Sequence, residues 1–311
     1  MEIGSGRHRY RWIEHWARIP EGKGSVENGR THGVVVSASG TILVFHQAEP
    51  AVLVYDGAGK LIDRWGDRFH GAHGMTLVND GGKEYLWLTD EHSGEVVKTT
   101  LDGTIIQSLE PPDYSGYADG KYCPTWVAVS ETRRGGNGDV WVADGYGMSI
   151  VHRYNHSGKL VQSITGDEGY AGRFDCPHGI MFDYHHGLPE LLVADRGNKR
   201  FQVYSGDGRY LRTFGTGTLT SPDAAVFVHD EYIVPELTAK VTVLDKDYGL
   251  VCRLGDNEQT CSVEGWPNHP DGLVHAGKFI APHALAVDAK GNIYVVEWKI
   301  GGRITKLERL Q

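Results

Sequence analysis

Three histidines, His73, His178 and His283, recur at intervals of 105 residues in a chain of 311. Imidazole is the commonest protein ligand for transition metals, and three of them around one open position make a catalytic zinc geometry. Each stands near the start of a similar apolar run: Ala72-His73-Gly74-Met75, Pro177-His178-Gly179-Ile180 and Pro282-His283-Ala284-Leu285. A single histidine at such a place commonly bonds a neighbouring carbonyl. Three gathered without a cation would set buried ring nitrogens against one another without good partners. The recurrence therefore favours a divalent metal.

What must position them is a repeated unit. Six segments share one plan: an opening residue, an apolar run, a glycine-containing turn, a second apolar run ending in an acidic residue, and two further strand-like runs. The fourth shows it best, with Pro177-His178-Gly179-Ile180, Leu191-Leu192-Val193-Ala194-Asp195, Arg200-Phe201-Gln202-Val203-Tyr204 and Leu211-Arg212-Thr213-Phe214 in succession. Runs of four to six β-formers bounded by Gly, Asp and Asn are strands, and four per unit at about 40–60 residues describe propeller blades. The expected fold class is all-β, one six-bladed β-propeller domain over residues 1–311. The sixth unit has room for only three strands, so the N-terminal segment 10–19 is expected to complete it and remove an open sheet edge. Two β-sandwiches of three units each would need a linker, and none is visible.

The six opening positions read His32, His73, Trp126, His178, Asp223 and His283. Alternate blades of such a ring are related by about 120°, so His73, His178 and His283 are expected to converge on its axis as metal ligands. His32 and Trp126 then become candidate substrate contacts. So do Gln47 and His92, in the loops after the second strands of blades one and two. Tyr146, Arg196 and Trp298-Lys299 occupy the same loops of blades three, four and six. The long insertions Pro111 to Tyr122, Asp167 to Asp175 and Asp256 to Phe279 are expected over the same face, as lids. Asp90, Asp144, Asp195, Glu236 and Glu297, one per blade, are expected to brace turns. His152, His156, His185 and His186 read as solvated residues of turns or outer strands.

Composition excludes several classes. Lys and Arg number 31 against 40 Asp and Glu, a net charge of −9, which opposes a nucleic-acid or anionic-membrane surface. Glycine, at 42 residues, is about twice its usual share and marks many tight turns. No apolar stretch reaches the length of a membrane span, and no secretory signal is visible, so a cytoplasmic location is the default. The four cysteines are spread without a C-x-x-C motif and read as buried or idle thiols; Cys252 and Cys261 are the only pair close in sequence. A small-molecule substrate is expected, and nothing indicates the oligomeric state.

The repeats resemble NHL repeats, and blades three to six resemble the peptidyl-α-hydroxyglycine α-amidating lyase family. The matching pieces are Pro124-Thr125 with Val127-Ala128-Val129, Ala143-Asp144-Gly145-Tyr146, Pro177-His178 with Val193-Ala194-Asp195-Arg196, and Pro282-His283 with Leu285-Ala286-Val287. The resemblance implies zinc on His73, His178 and His283, Tyr146 as general base and Arg196 beside it. The chemistry it implies is cleavage of a carbinolamide C–N bond. Two departures stand out. The family's Phe-His-Arg cation is replaced in Phe45-His46-Gln47, and the acidic residue that follows its last histidine is Ala284 here. Metal and base are therefore expected to be kept while the substrate stays open, a neutral or sugar-like hydroxylated molecule being one option. The expected function is a metal-dependent lyase of a small hydroxylated substrate. The alternatives are a sugar-lactonase-like propeller hydrolase and a non-catalytic NHL interaction module.

Overall fold

The computed structural model describes residues 1–22, 27, 29–118 and 120–310. The strands form six antiparallel sheets, the blades of a six-bladed β-propeller. Blade two, for example, runs Ala72–Asp80, Lys83–Asp90, Val96–Thr99 and Ile105–Leu109, each strand bonded to the next. Blade three has Trp126–Val129, Val140–Asp144, Ile150–Tyr154 and Leu160–Ile164. Blade four has Pro177–Asp183, Glu190–Asp195, Arg200–Ser205 and Tyr210–Phe214. No helix among the described residues is long and apolar enough to cross a membrane.

Residue contacts divide the chain into two compact units. One holds residues 70–222, which are blades two, three and four; the other holds residues 1–69 and 223–311, which are blades five, six and one. Within each unit neighbouring blades pack face to face, and this explains the strand patterns. Second strands are buried on both faces, as in Val140–Asp144 and Ile293–Glu297, and read as unbroken apolar runs. Fourth strands, such as Leu61–Trp65, are mostly exposed. Between blades two and three the core is Val78, Trp87, Val96, Leu109, Val127, Val140, Val142 and Tyr154. Between blades five and six it includes Trp12, Ile233, Val243, Phe279, Leu285 and Val295.

The sixth sheet is completed by the N-terminal segment, but with different bounds from those expected. The pairing strand is His8–Ile13, in register Trp12↔Leu307, and a fifth strand, Glu2–Ser5, continues the sheet outward. Residues 14–19 leave the sheet because His15 takes a left-handed φ of 50°, which ends the extended run. Trp16 then turns inward against Tyr55 and Tyr294, at centroid distances of 6.1 and 4.9 Å.

Candidate functional site

The histidines are placed by a shared irregularity. In blade two, Ala72 pairs with Asp90 but Met75 pairs with Leu88, so His73 and Gly74 together oppose Thr89. The same one-residue shift surrounds His178 in blade four, His283 in blade six and His32 in blade one. Such a β-bulge bends the strand and re-aims a side chain. Blade three has no shift at Trp126, and blade five has none from Val226 onward. The four ladders that shift at their opening each carry a histidine there.

The residue after the histidine must be small. A Cβ on Gly74 would lie 2.4 Å from the Thr125 carbonyl oxygen and 2.8 Å from Trp126 Cα. That crowding is the approach that lets His73 reach blade three. His73 Nδ1 donates to the Thr125 carbonyl at 2.8 Å. A carbonyl only accepts, so the proton sits on Nδ1 and Nε2 keeps its lone pair. Burial pushes the His73 imidazole down to about 3, with the Arg196 charge adding to the shift, so the ring is neutral near pH 7. Neutral imidazole held by a carbonyl behind it is the form that ligates metals.

In the unit of blades two to four, four side chains meet. Tyr146 Oη lies 3.2 Å from His73 Nε2 and 3.0 Å from His178 Nε2, and accepts a hydrogen bond from Arg196 Nη2 at 3.3 Å. The two imidazole centroids are 4.8 Å apart. His73 and His178 are buried, whereas Tyr146 is 38% exposed, so the phenol is reached from solvent. Trp126 is buried behind both imidazoles, 6.5 Å from the His73 ring and 6.3 Å from that of His178. The His92 backbone amide bonds Asp90 at 3.0 Å, and its ring faces Glu91 at 3.9 Å.

In the other unit, His283 Nδ1 donates to the His32 carbonyl at 2.8 Å, repeating the bond between His73 and Thr125. The His32 and His283 rings meet edge to face at 4.5 Å, both buried. Gln47 is buried, its amide bonded to the Arg30 carbonyl at 2.8 Å. Asp223 is buried, with its amide on the Pro235 carbonyl.

Three participants escape a reading of residue types. Thr125 joins three blades: its carbonyl takes His73, and its hydroxyl bonds the His178 carbonyl at 2.8 Å. Cys176, read as an idle thiol, receives Arg196 Nη2 on its sulfur at 3.3 Å, and Arg196 N bonds its carbonyl. All four cysteines are free, the Cys252 and Cys261 thiols included. His152, expected in solvent, is fully buried, because Tyr117 from the first insertion covers it with Oη 2.7 Å from Nε2. The same hydroxyl donates to Asp144 at 2.6 Å, which fastens that insertion to the strand leading to Tyr146. His185 is also largely buried, against Asp183. The acidic residues brace turns as expected: Asp144 accepts the amides of Cys123 and Met148, and Asp90 those of Gly71, His92 and Ser93.

A four-stranded repeat with bulge-aimed histidines has recognisable kin. A probable peptidyl-α-hydroxyglycine α-amidating lyase of Caenorhabditis elegans is 29% identical over 222 residues, 62% of this chain and 61% of the relative. NHL repeat-containing protein 3 of Mus musculus is 28% identical over 292 residues, 86% of this chain and 77% of its own. Among solved structures, a gluconolactonase of Xanthomonas campestris matches with a TM-score of 0.67 over 99% of this chain and 94% of its own, at 14% identity, a likeness of fold. No protein-family model matches the chain. The chain is thus a β-propeller similar to α-amidating lyases and to NHL repeat proteins, and it spans less than two thirds of the nematode lyase.

Proposed function

We propose that this protein is a metal-dependent lyase acting on a small hydroxylated molecule. The observation that carries the reading is the convergence of His73 Nε2, His178 Nε2 and Arg196 Nη2 on one phenol oxygen, that of Tyr146. His73 Nε2, which keeps its lone pair, and His178 Nε2 both face the Tyr146 oxygen and fit a cation, and the His283 ring is held in its own unit by the same kind of carbonyl bond as His73. We assign His73, His178 and His283 as its ligands. Zinc suits an all-imidazole donor set. A divalent cation held there supplies a Lewis acid that makes a substrate hydroxyl easier to deprotonate.

The chain's own groups do the rest. The Arg196 guanidinium stabilises Tyr146 as the phenolate, which takes the hydroxyl proton on Oη and becomes the phenol. The substrate's oxygen then forms a carbonyl as the adjacent C–N or C–O bond breaks, and the phenol returns the proton to the leaving group. Buried Trp126 backs the imidazoles, and we place His32 and Gln47 among the substrate contacts. Similarity to the amidating lyases supports the reaction class. Gln47, where that family has arginine, supports a substrate without an anchoring carboxylate.

The test is elemental analysis of the purified protein with a screen of hydroxylated small molecules. Stoichiometric zinc and turnover are expected. Tyr146→Phe should keep the metal and lose roughly 10²–10⁴-fold in turnover, the usual share of a general base. Metal-free protein that binds no zinc on titration refutes the reading and favours a non-catalytic NHL module. Retention of full turnover in Tyr146→Phe removes the assigned base.

A further inference from the structure

The strand that carries His178 near its start ends in a second group of donors. The strand spans Pro177–Asp183, so its two ends lie roughly 20 Å apart at about 3.3 Å per residue. At the far end Asp183, His185 and His186 offer donor atoms that all lie within 4.8 Å of one another. The His185 and His186 rings are 3.6 Å apart at their centroids. Asp183 is buried, and its Oδ1 accepts the His185 amide at 3.0 Å while Oδ2 meets His185 Nδ1. His186 is more open, with 39% of its side chain exposed and Nε2 3.9 Å from Glu190 Oε2.

Charge placement points the same way. Asp183 and Glu190 are direct partners across the hairpin, and like charges so placed repel. Arg212 donates to both oxygens of Glu190. Asp183 faces the imidazoles. Two imidazole nitrogens with one carboxylate oxygen is a donor set for late first-row divalent ions, and it is unlike the all-oxygen sets of calcium or magnesium. Donors on one tetrahedral zinc stand about 3.3–3.5 Å apart, given bonds of about 2.0–2.1 Å. Separations of up to 4.8 Å close to that by side-chain rotation, and His186 leaves a path from solvent.

We propose that the hairpin joining the first two strands of blade four is a second divalent-metal site, a zinc site formed by Asp183, His185 and His186 with Glu190 at its rim. It is independent of the centre assigned to His73, His178 and His283.

The experiment is zinc titration of chelator-stripped full-length protein by calorimetry, with elemental analysis after gel filtration. The double variant His185→Ala with His186→Ala should bind one zinc fewer than the wild type, and His178→Ala should keep the hairpin zinc. If only the central centre is wrong, the wild type binds one zinc, which His178→Ala keeps and the double variant loses. If only the hairpin is wrong, the double variant binds as the wild type does, and the proposal is overturned. His186→Gln, at an exposed position, guards against a folding defect. With its melting temperature in chelator unchanged, it should lower hairpin affinity at least tenfold, and an unchanged affinity overturns the proposal.

Discussion

Blades three and four differ at one residue of strand register, and that residue decides what each opening presents. In blade three the ladder begins at Trp126, in register with Ala143 and unshifted from there on, and the Trp126 side chain is buried behind the site. In blade four an extra residue enters the ladder, and His178 turns its Nε2 towards Tyr146. The comparison teaches that the ligand-like positions are made by bulges, which free a residue from strict alternation, more than by strand ends as such.

The strongest way to break that comparison is to remove a side chain from each type of opening. His178→Ala should lose the central metal and at least ~10³-fold in turnover, the scale of removing a principal electrostatic group. Trp126→Phe should keep the metal and change turnover less than about tenfold. Equal metal loss in both variants, by elemental analysis, would mean that the bulge confers nothing special.

Crowding sharpens the contrast within the bulged blades. Gly74→Ala puts a Cβ 2.4 Å from the Thr125 oxygen and should destabilise by about 1–3 kcal/mol, read as a fall in denaturation midpoint. Blade six already carries Ala284 at the equivalent place, so Ala284→Gly should cost less than about 1 kcal/mol. A neutral Gly74→Ala would contradict the close approach of blades two and three.

The smallest effect concerns the insertion fastened beneath Tyr146. Burial pushes His152 down to about 4. Between about pH 6.5 and 4 the unfolded chain holds a proton there that the folded chain lacks. Stability is therefore complete above about pH 6.5 and falls as pH drops towards 4, by up to about 1.4 kcal/mol per pH unit. His152→Gln should flatten the acid limb of stability against pH by about one proton, and an unchanged slope would show that His152 is charged in the fold.

The repeat was legible because each blade restates the same alternation of apolar runs and turns, and the types at His73, His178 and His283 were legible through their spacing. The bulges were written less openly. Their trace is a histidine followed by Gly33, Gly74, Gly179 or Ala284, a small residue inside a strand pattern, which signals close backbone approach. His152 was misread because an isolated histidine in an outer strand has no period, and the tyrosine covering it lies 35 residues away. Cys176 and Thr125 act through a sulfur contact and a carbonyl, and residue type carries neither.

The sheet shared by both ends of the chain has a kinetic consequence. Arg11 and Glu308 lie side by side although 297 residues separate them. Closing a loop of that length costs about 5 kcal/mol of chain entropy. During synthesis the early strand His8–Ile13 must therefore wait without its partner until Arg303–Arg309, nearly 300 residues later, has left the ribosome.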